Sequence, residues 1–365
     1  MKAAVLYEPN QPLKIEELRQ DPPKAGEVRV RMGAAGLCAS DIHVMKGTAV
    51  LPLPVVLGHE GAGTVAAVGE GVTRVQPGDR CILSFISNCG HCRMCRTGNP
   101  QLCDVNARTG TRQYDGTLRL HKGETDIHQM AKLGVFAESL VAPQQACHPI
   151  PDAVPMHAAA LIGCCVTTGV GAVINNPASR PGATVAVFGC GGVGLSAIQG
   201  ARLMNASRII AVDVYDHKLE FTYKFGATDT LNAREVDPVE AIKELTGGGV
   251  DMALDTFGSA ATTVNAINSI RKGGTAIVVG LGGVGEEAAI DMVEMVRDQK
   301  TLMGSYYGSA SPHETFGKLV DFYLKGLLDV DGLITRTYSL DQINEGFDAL
   351  DRGEDGRGII RFEAS

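Results

Sequence analysis

Thr184-Val185-Ala186-Val187-Phe188-Gly189-Cys190-Gly191-Gly192-Val193-Gly194 decides the fold. The first five residues are an apolar, β-branched run of the kind that forms a strand buried on both faces. Gly189, Gly191 and Gly194 follow at Gly-x-Gly-x-x-Gly spacing, and Leu195 to Met204 reads as helix. A strand, a glycine turn and a helix in that order is the context a dinucleotide site requires. The first glycine permits the tight turn, the second lets backbone approach a pyrophosphate, and the third allows close helix–strand packing. Gly192 and Val193 open the helix, where free N–H groups can face phosphates. Arg208 to Asp213 is the next strand. Asp213 ends it, so its carboxylate can accept from adenosine ribose hydroxyls and would repel a 2′-phosphate, which favours NAD over NADP. Lys218, about one helical turn on, could also reach the ribose; a solvated surface lysine is the plainer alternative.

Outward from that unit the pattern repeats. A helix through Lys218 to Phe225 follows, and Val250 to Asp255 and Thr275 to Gly280 read as later strands of one parallel sheet. Before it the chain is strands and turns: alternating Val28 to Met32, glycine-bounded Gly63 to Gly69, Cys81 to Leu83 after the Pro77-Gly78 turn, and Gly134 to Pro143. After about Tyr306 the alternation fades, leaving a helix at Phe316 to Lys325 and a strand near Ile359 to Phe362. The expected organisation is a mainly β catalytic domain over 1–165, a dinucleotide-binding domain over 166–305, and a return of 306–365 to the first domain. The fold class is therefore α/β, a doubly wound parallel sheet beside a mainly β domain. The length of 365 residues suits two domains. A net charge of -8 with no basic block argues against nucleic acid as partner. No apolar run reads as a membrane span, and Met1 to Val5 shows no signal core, so the expected location is the cytoplasm.

Four cysteines crowd one segment: Cys89, Cys92, Cys95 and Cys103. In a chain expected to be cytosolic, disulfides are disfavoured, and four thiolates at this spacing fit one closed tetrahedral zinc in a lobe at about 88–104. Such a centre holds a loop and has no open position for chemistry. A reactive metal must find other donors. Cys38 lies in Cys38-Ala39-Ser40-Asp41-Ile42-His43, His59 and Glu60 in Gly58-His59-Glu60-Gly61, and Cys164 and Cys165 in Gly163-Cys164-Cys165-Val166-Thr167-Thr168-Gly169. Two thiolates and one imidazole leave a fourth position for water or substrate, which is the zinc donor set of alcohol dehydrogenases.

The resemblance goes further than the donor set. Gly58-His59-Glu60-Gly61, the four-cysteine lobe, Gly163-Cys164 to Gly169, the Gly189 to Gly194 turn and Ile343-Asn344-Glu345-Gly346-Phe347 together resemble the zinc-dependent alcohol dehydrogenases of the medium-chain dehydrogenase/reductase superfamily, close to the class III-like members, over essentially the whole length. The resemblance implies a Rossmann domain beside a GroES-like catalytic domain, NAD and two zinc ions per chain, and a homodimer or homotetramer. It implies catalytic zinc on Cys38, His59 and Cys164, with adjacent Cys165 as a rival thiolate. Glu60 stands behind the metal, either approaching it during ligand exchange or holding local structure, and Asp41 orients the histidine ligand. Ser40 is the hydroxyl bonded to the substrate oxygen, and His43 ends the proton relay. Thr168 packs on the nicotinamide, Arg357 pairs with the pyrophosphate, and Phe85 lines the substrate pocket. Ala39 departs from the pattern, because many relatives place a cation there. The implied reaction is reversible oxidation of a primary alcohol, aryl or aliphatic, to an aldehyde. Glutathione-dependent formaldehyde dehydrogenase and polyol or secondary-alcohol dehydrogenases are the alternatives within the superfamily.

Overall fold

The computed structural model describes residues 1–354 and 356–362. The chain divides into two compact units, Met1–Cys164 with the segment from Ser311 onward, and Cys165–Ala310. The second crossing thus falls at Ser311, five residues beyond the expected 306. The reason is local: Tyr307–Ser309 is a single 3-10 turn held by the helix Thr167–Ile174. Asn175 Nδ2 donates to Gly308 O at 2.9 Å, and a Cβ on Gly308 would lie 2.4 Å from Thr167 O.

The unit Cys165–Ala310 is built on six parallel strands: Thr184–Phe188, Arg208–Asp213, Asp229–Asn232, Val250–Asp255, Ile270–Val278 and Thr301–Gly304. In space they run third, second, first, fourth, fifth, sixth. This is a doubly wound Rossmann sheet, and the order reverses between the first and fourth strands, where Phe188 lies beside Asp255. Ala186, Phe188, Ile210, Val212 and Ala253 are buried between sheet and helices. Each Val, Ile or Phe side chain removed from water in this way contributes about 1.5–3 kcal/mol, which is why apolar runs mark these strands.

Among its described residues the other unit holds two β-sheets. The long strand Glu27–Gly36 pairs with Gly61–Val68, Ser139–Pro143 and the C-terminal strand Arg357–Arg361. Its inward face carries Val28, Val30, Met32 and Ala34, all buried, so alternation sets its register. Between 115 and 132 the chain forms the hairpin Leu120–Lys122 and Thr125–Gln129. It is pinned by fully buried Arg119, whose Nε donates to Glu27 Oε2 at 2.8 Å and whose Nη2 donates to Asp115 Oδ2 at 2.9 Å.

Met156–Ile174 is one continuous helical run of 19 residues with mean hydropathy 1.8. By length and composition it could cross a bilayer, contrary to the expectation that no apolar run has that reach. It is a core helix, with 83% of its apolar window buried. Its middle, Ile162–Val166, widens into a π-turn. Such turns re-aim side chains and recur at functional sites.

Candidate metal and cofactor sites

Cys38 follows the buried end of the strand Glu27–Gly36 and caps the helix Ala39–Met45 in extended conformation (φ -124°, ψ 146°). His59 enters from the sharp turn at Gly58, where φ is +92° and an added Cβ would lie 2.6 Å from Val135 Cγ2. Cys164 comes from the π-turn, packed down because a Cβ on Gly163 would meet Leu83 O at 3.1 Å. The ligand atoms of Cys38, His59 and Cys164 lie within 4.8 Å of one another, and all three residues are buried. Cys165 is fully buried and belongs to no such group, so the π-turn presents one of the two neighbouring thiols to the cluster.

The surroundings favour a thiolate at Cys38 and hold the His59 ring against a carboxylate. Asp41 is fully buried; its Oδ1 accepts from Gly58 N at 3.0 Å and lies 3.4 Å from His59 Nδ1. That contact leaves the other ring nitrogen, Nε2, for a metal. The Cys38 thiol is held well below its ordinary value, first by a hydrogen bond from Cys164, against burial, and next by the charge of His59. His59 is raised well above its ordinary value: burial pulls it down, and the charges of Asp41 and Cys38 outweigh that. Three donors, one thiolate already favoured, and a carboxylate behind the imidazole fit a zinc with one open position. The edge of Phe85 meets the His59 ring at 5.5 Å, and Ser40 Oγ lies 3.8 Å from Cys38 Sγ.

His43 lies about one turn beyond Ser40 on the helix Ala39–Met45, half-buried. Its Nδ1 is 3.1 Å from Thr48 Oγ1, and that hydroxyl donates to the His43 carbonyl at 3.1 Å. The hydroxyl proton is committed to the carbonyl, so Oγ1 accepts from Nδ1–H and Nε2 remains an acceptor. Thr48 was not among the expected site residues, and a threonine five residues on carries no local signal of that contact.

Two expected residues are placed together. Arg357 is buried and ion-paired through Nη2 with fully buried Glu60, a partner the sequence reading did not include. Glu60, committed to that guanidinium, lies outside the donor group Cys38, His59 and Cys164. The sheet explains both. Gly61 pairs with Ala35 and Ile359 with Gly36, so Glu60 and Arg357 emerge at the same strand end. Gly36 makes the room, because its Cβ would stand 2.6 Å from Glu60 Cδ.

In the lobe, Cys89 and Cys95 sulfurs are 4.0 Å apart and Cys92 and Cys103 sulfurs 3.9 Å. Four sulfurs about 2.3 Å from a tetrahedral zinc stand about 3.8 Å from one another, so the spacing fits that metal. Backbone N–H groups point at the sulfurs: Cys103 Sγ accepts from Cys89 N at 3.3 Å and Asn106 N at 3.4 Å, and Cys89 Sγ accepts from Cys92 N at 3.3 Å.

Within the Rossmann unit, Gly189 has φ +92°, and a Cβ on Gly194 would lie 1.9 Å from Gly189 O. A Cβ on Gly191 would meet nothing within 4 Å, so space lies open at the helix start Gly192–Leu203. Asp213 Oδ2 accepts from Cys190 N at 2.7 Å, and its Oδ1 accepts from Val214 N at 2.7 Å and Tyr215 N at 3.2 Å. The carboxylate is thereby held at the glycine turn as an acceptor. Lys218 Nζ instead lies 5.0 Å from the Tyr215 ring centre, with Arg234 over the same ring at 4.9 Å. Thr168 is the second residue of the helix Thr167–Ile174.

Comparison with known proteins agrees across the chain. Residues 24–152 match the alcohol dehydrogenase GroES-like domain, and residues 192–325 match the zinc-binding dehydrogenase domain. An NDMA-dependent alcohol dehydrogenase of Amycolatopsis methanolica is 40% identical over 369 residues, covering 100% of this chain and 99% of that protein. Among solved structures, an alcohol dehydrogenase zinc-binding domain protein from Burkholderia ambifaria superposes with TM-score 0.95 at 35% identity, covering 100% of this chain and 99% of the other. Benzyl alcohol dehydrogenase from Acinetobacter calcoaceticus superposes with TM-score 0.94 at 33% identity, covering 99% of each.

Proposed function

This chain belongs to the zinc-type medium-chain alcohol dehydrogenases, and on that premise we propose that it oxidises primary alcohols, aryl alcohols among them, to aldehydes with NAD. The observation that carries the reading is the convergence of Cys38, His59 and Cys164. When bound, zinc acidifies an alcohol hydroxyl and the nicotinamide takes up the hydride. The protein's own groups do the rest. Cys38, His59 and Cys164 hold the metal and leave one position open. Asp41 fixes the His59 tautomer. Ser40 accepts the substrate's proton and passes it toward His43, whose ring Thr48 holds with Nε2 as acceptor. Phe85, packed on His59, supplies apolar wall that suits alkyl or aryl groups. A second zinc on Cys89, Cys92, Cys95 and Cys103 keeps the lobe folded.

Asp213 supports NAD over NADP, because a pinned carboxylate repels a 2′-phosphate. Gly189, Gly191, Gly192, Val193 and Gly194 cradle the pyrophosphate in this reading, and Thr168 packs on the nicotinamide. A second reading starts from the full-length similarity to an enzyme named as NDMA-dependent: if an acceptor other than exchanging NAD takes the electrons here, the nucleotide would stay bound through turnover. Denaturing the purified protein and assaying the released nucleotide separates the two. One equivalent per chain supports retention; none supports exchange.

The partner is a second copy of this chain, and the location the cytoplasm. Thr301–Gly304 is the sheet's edge strand. The preceding helix Met292–Arg297 buries none of its residues, with Met292, Val293 and Val296 exposed by 72%, 57% and 77%. An edge strand beside such an apolar helix suits sheet extension across a two-fold axis. A panel of benzyl alcohol, short aliphatic alcohols, polyols and S-hydroxymethylglutathione, followed by NADH absorbance with and without chelator, tests the reaction. Turnover of benzyl alcohol that chelator abolishes is expected. Turnover of the glutathione adduct alone would replace this substrate assignment with the formaldehyde dehydrogenase alternative.

A further inference from the structure

Lys132 is fully buried, and among the described residues no carboxylate pairs with it. Its backbone is left-handed (φ +64°), as is that of Ala131 before it (φ +54°), a conformation non-glycine residues hold only when their surroundings demand it. Its ammonium donates to Asn106 O at 3.0 Å, Asn106 Oδ1 at 3.2 Å and Gly110 O at 2.9 Å. The Tyr114 ring centre lies 5.7 Å away. All these acceptors are neutral. A buried cation without an opposite charge is costly, and it persists where a nearby anion compensates it.

The neighbouring group that becomes anionic when its thiols ionise is the four-cysteine lobe. Asn106 joins the two: its N–H donates to Cys103 Sγ at 3.4 Å, while its carbonyl and side-chain oxygens receive the Lys132 ammonium. Cys103 also caps the helix Asp104–Thr109, so the ammonium holds the far end of the element that presents this sulfur. Four thiolates around one divalent zinc carry a net charge of -2. We propose that Lys132 is the counter-cation of the four-cysteine zinc centre, a positioning residue whose charge favours the metal-loaded lobe. The inference rests on the reading that these cysteines hold zinc.

The consequence has opposite signs in the two states. With zinc bound, the lysine offsets the thiolate charge. With zinc removed and the thiols protonated, it is an uncompensated buried cation, and replacing it relieves the fold. The test compares wild type, Lys132→Met and Lys132→Arg as full-length, zinc-loaded proteins. Zinc release to a chromogenic chelator at neutral pH resolves the metals, with a Cys164→Ser background identifying the release that belongs to the lobe. Lys132→Met is expected to release lobe zinc at least about ten-fold faster than wild type, with the other zinc leaving at the wild-type rate. Lys132→Arg is expected to restore most of the retention. After stripping, Lys132→Met is expected to melt no lower than stripped wild type, which a merely structural role would not allow. Equal release rates, or equal melting losses with and without zinc, would overturn the proposal. So would Lys132→Arg failing to fold alongside Lys132→Met, since charge would then not be the property required; folding of the arginine variant alone would support it. Wild type with no zinc on the four cysteines would instead remove the metal reading beneath it.

Discussion

Removing the Arg357 guanidinium should destabilise this protein more than any surface change. Arg357 and Glu60 side chains are 4% and 0% exposed and form an ion pair across 297 residues of sequence. Arg357→Met leaves the Glu60 carboxylate in the interior without that guanidinium. Breaking a buried pair from one side costs about 3–5 kcal/mol, most of it the penalty of the orphaned charge. With a urea slope of about 2–3 kcal/mol/M, the unfolding midpoint should fall by about 1–2 M. The double variant Glu60→Gln/Arg357→Met carries neither charge and should regain most of the loss. The assay is urea unfolding of the zinc-loaded proteins by circular dichroism. A loss below about 1 kcal/mol, or a double variant no more stable than Arg357→Met, would refute the reasoning. The same variant should bind NAD within about three-fold of wild type, because Arg357 is committed to Glu60; a loss of a hundred-fold would return it to the pyrophosphate.

Other outcomes follow from single contacts. Asp41→Asn should weaken zinc at Cys38, His59 and Cys164 by about 10- to 100-fold in competition with a chelating dye; unchanged affinity would dismiss Asp41 as the histidine's support. His43→Gln should lose turnover most at low pH, and an unaltered pH profile would remove His43 from the relay. His148 and His313 are each pushed down to about 4, first by burial, and their Nδ1 atoms are 3.3 Å apart with Arg74 as the nearby cation. Below the ordinary histidine range the unfolded chain therefore binds protons the folded one refuses, so stability falls as pH drops from about 6.5 to 4. His148→Gln/His313→Gln should flatten that slope in urea unfolding, and an identical slope would mean the pair is not responsible. Asp213→Asn should narrow the preference for NAD over NADP in fluorescence titration; an unchanged ratio would place the ribose elsewhere.

The parts of this molecule that were legible beforehand are those with local causes. Val185 to Phe188 and Ile209 to Val212 are unbroken apolar runs because both faces of a parallel strand are covered, and the glycine turn has a fixed grammar. The two metal groups were legible because cysteine and histidine are rare and their roles few. What escaped has long-range or geometric causes. Gly134 to Pro143 reads as one strand, yet the continuous strand is Ser139–Pro143, with Ala137 making a single bridge to Ala3 in the other sheet and Gly134 left-handed at the start. The hairpin Leu120–Lys122 and Thr125–Gln129 is too polar to announce itself and depends on Arg119 finding Glu27, 92 residues away. The choice of Cys164 over Cys165 comes from the family resemblance alone; the π-turn that presents it is not encoded in composition. The pairing of Arg357 with Glu60 was not legible because 297 residues of sequence separate them.

The central claim is that Cys38, His59 and Cys164 hold a zinc with one open position. Diffraction from crystals of the full-length protein at the zinc absorption edge tests it most directly. The account predicts an anomalous peak about 2.0–2.3 Å from both sulfurs and from His59 Nε2, with a non-protein ligand in the fourth position. No peak there, or a peak closed by Glu60 or Cys165 as a fourth protein ligand, would contradict it.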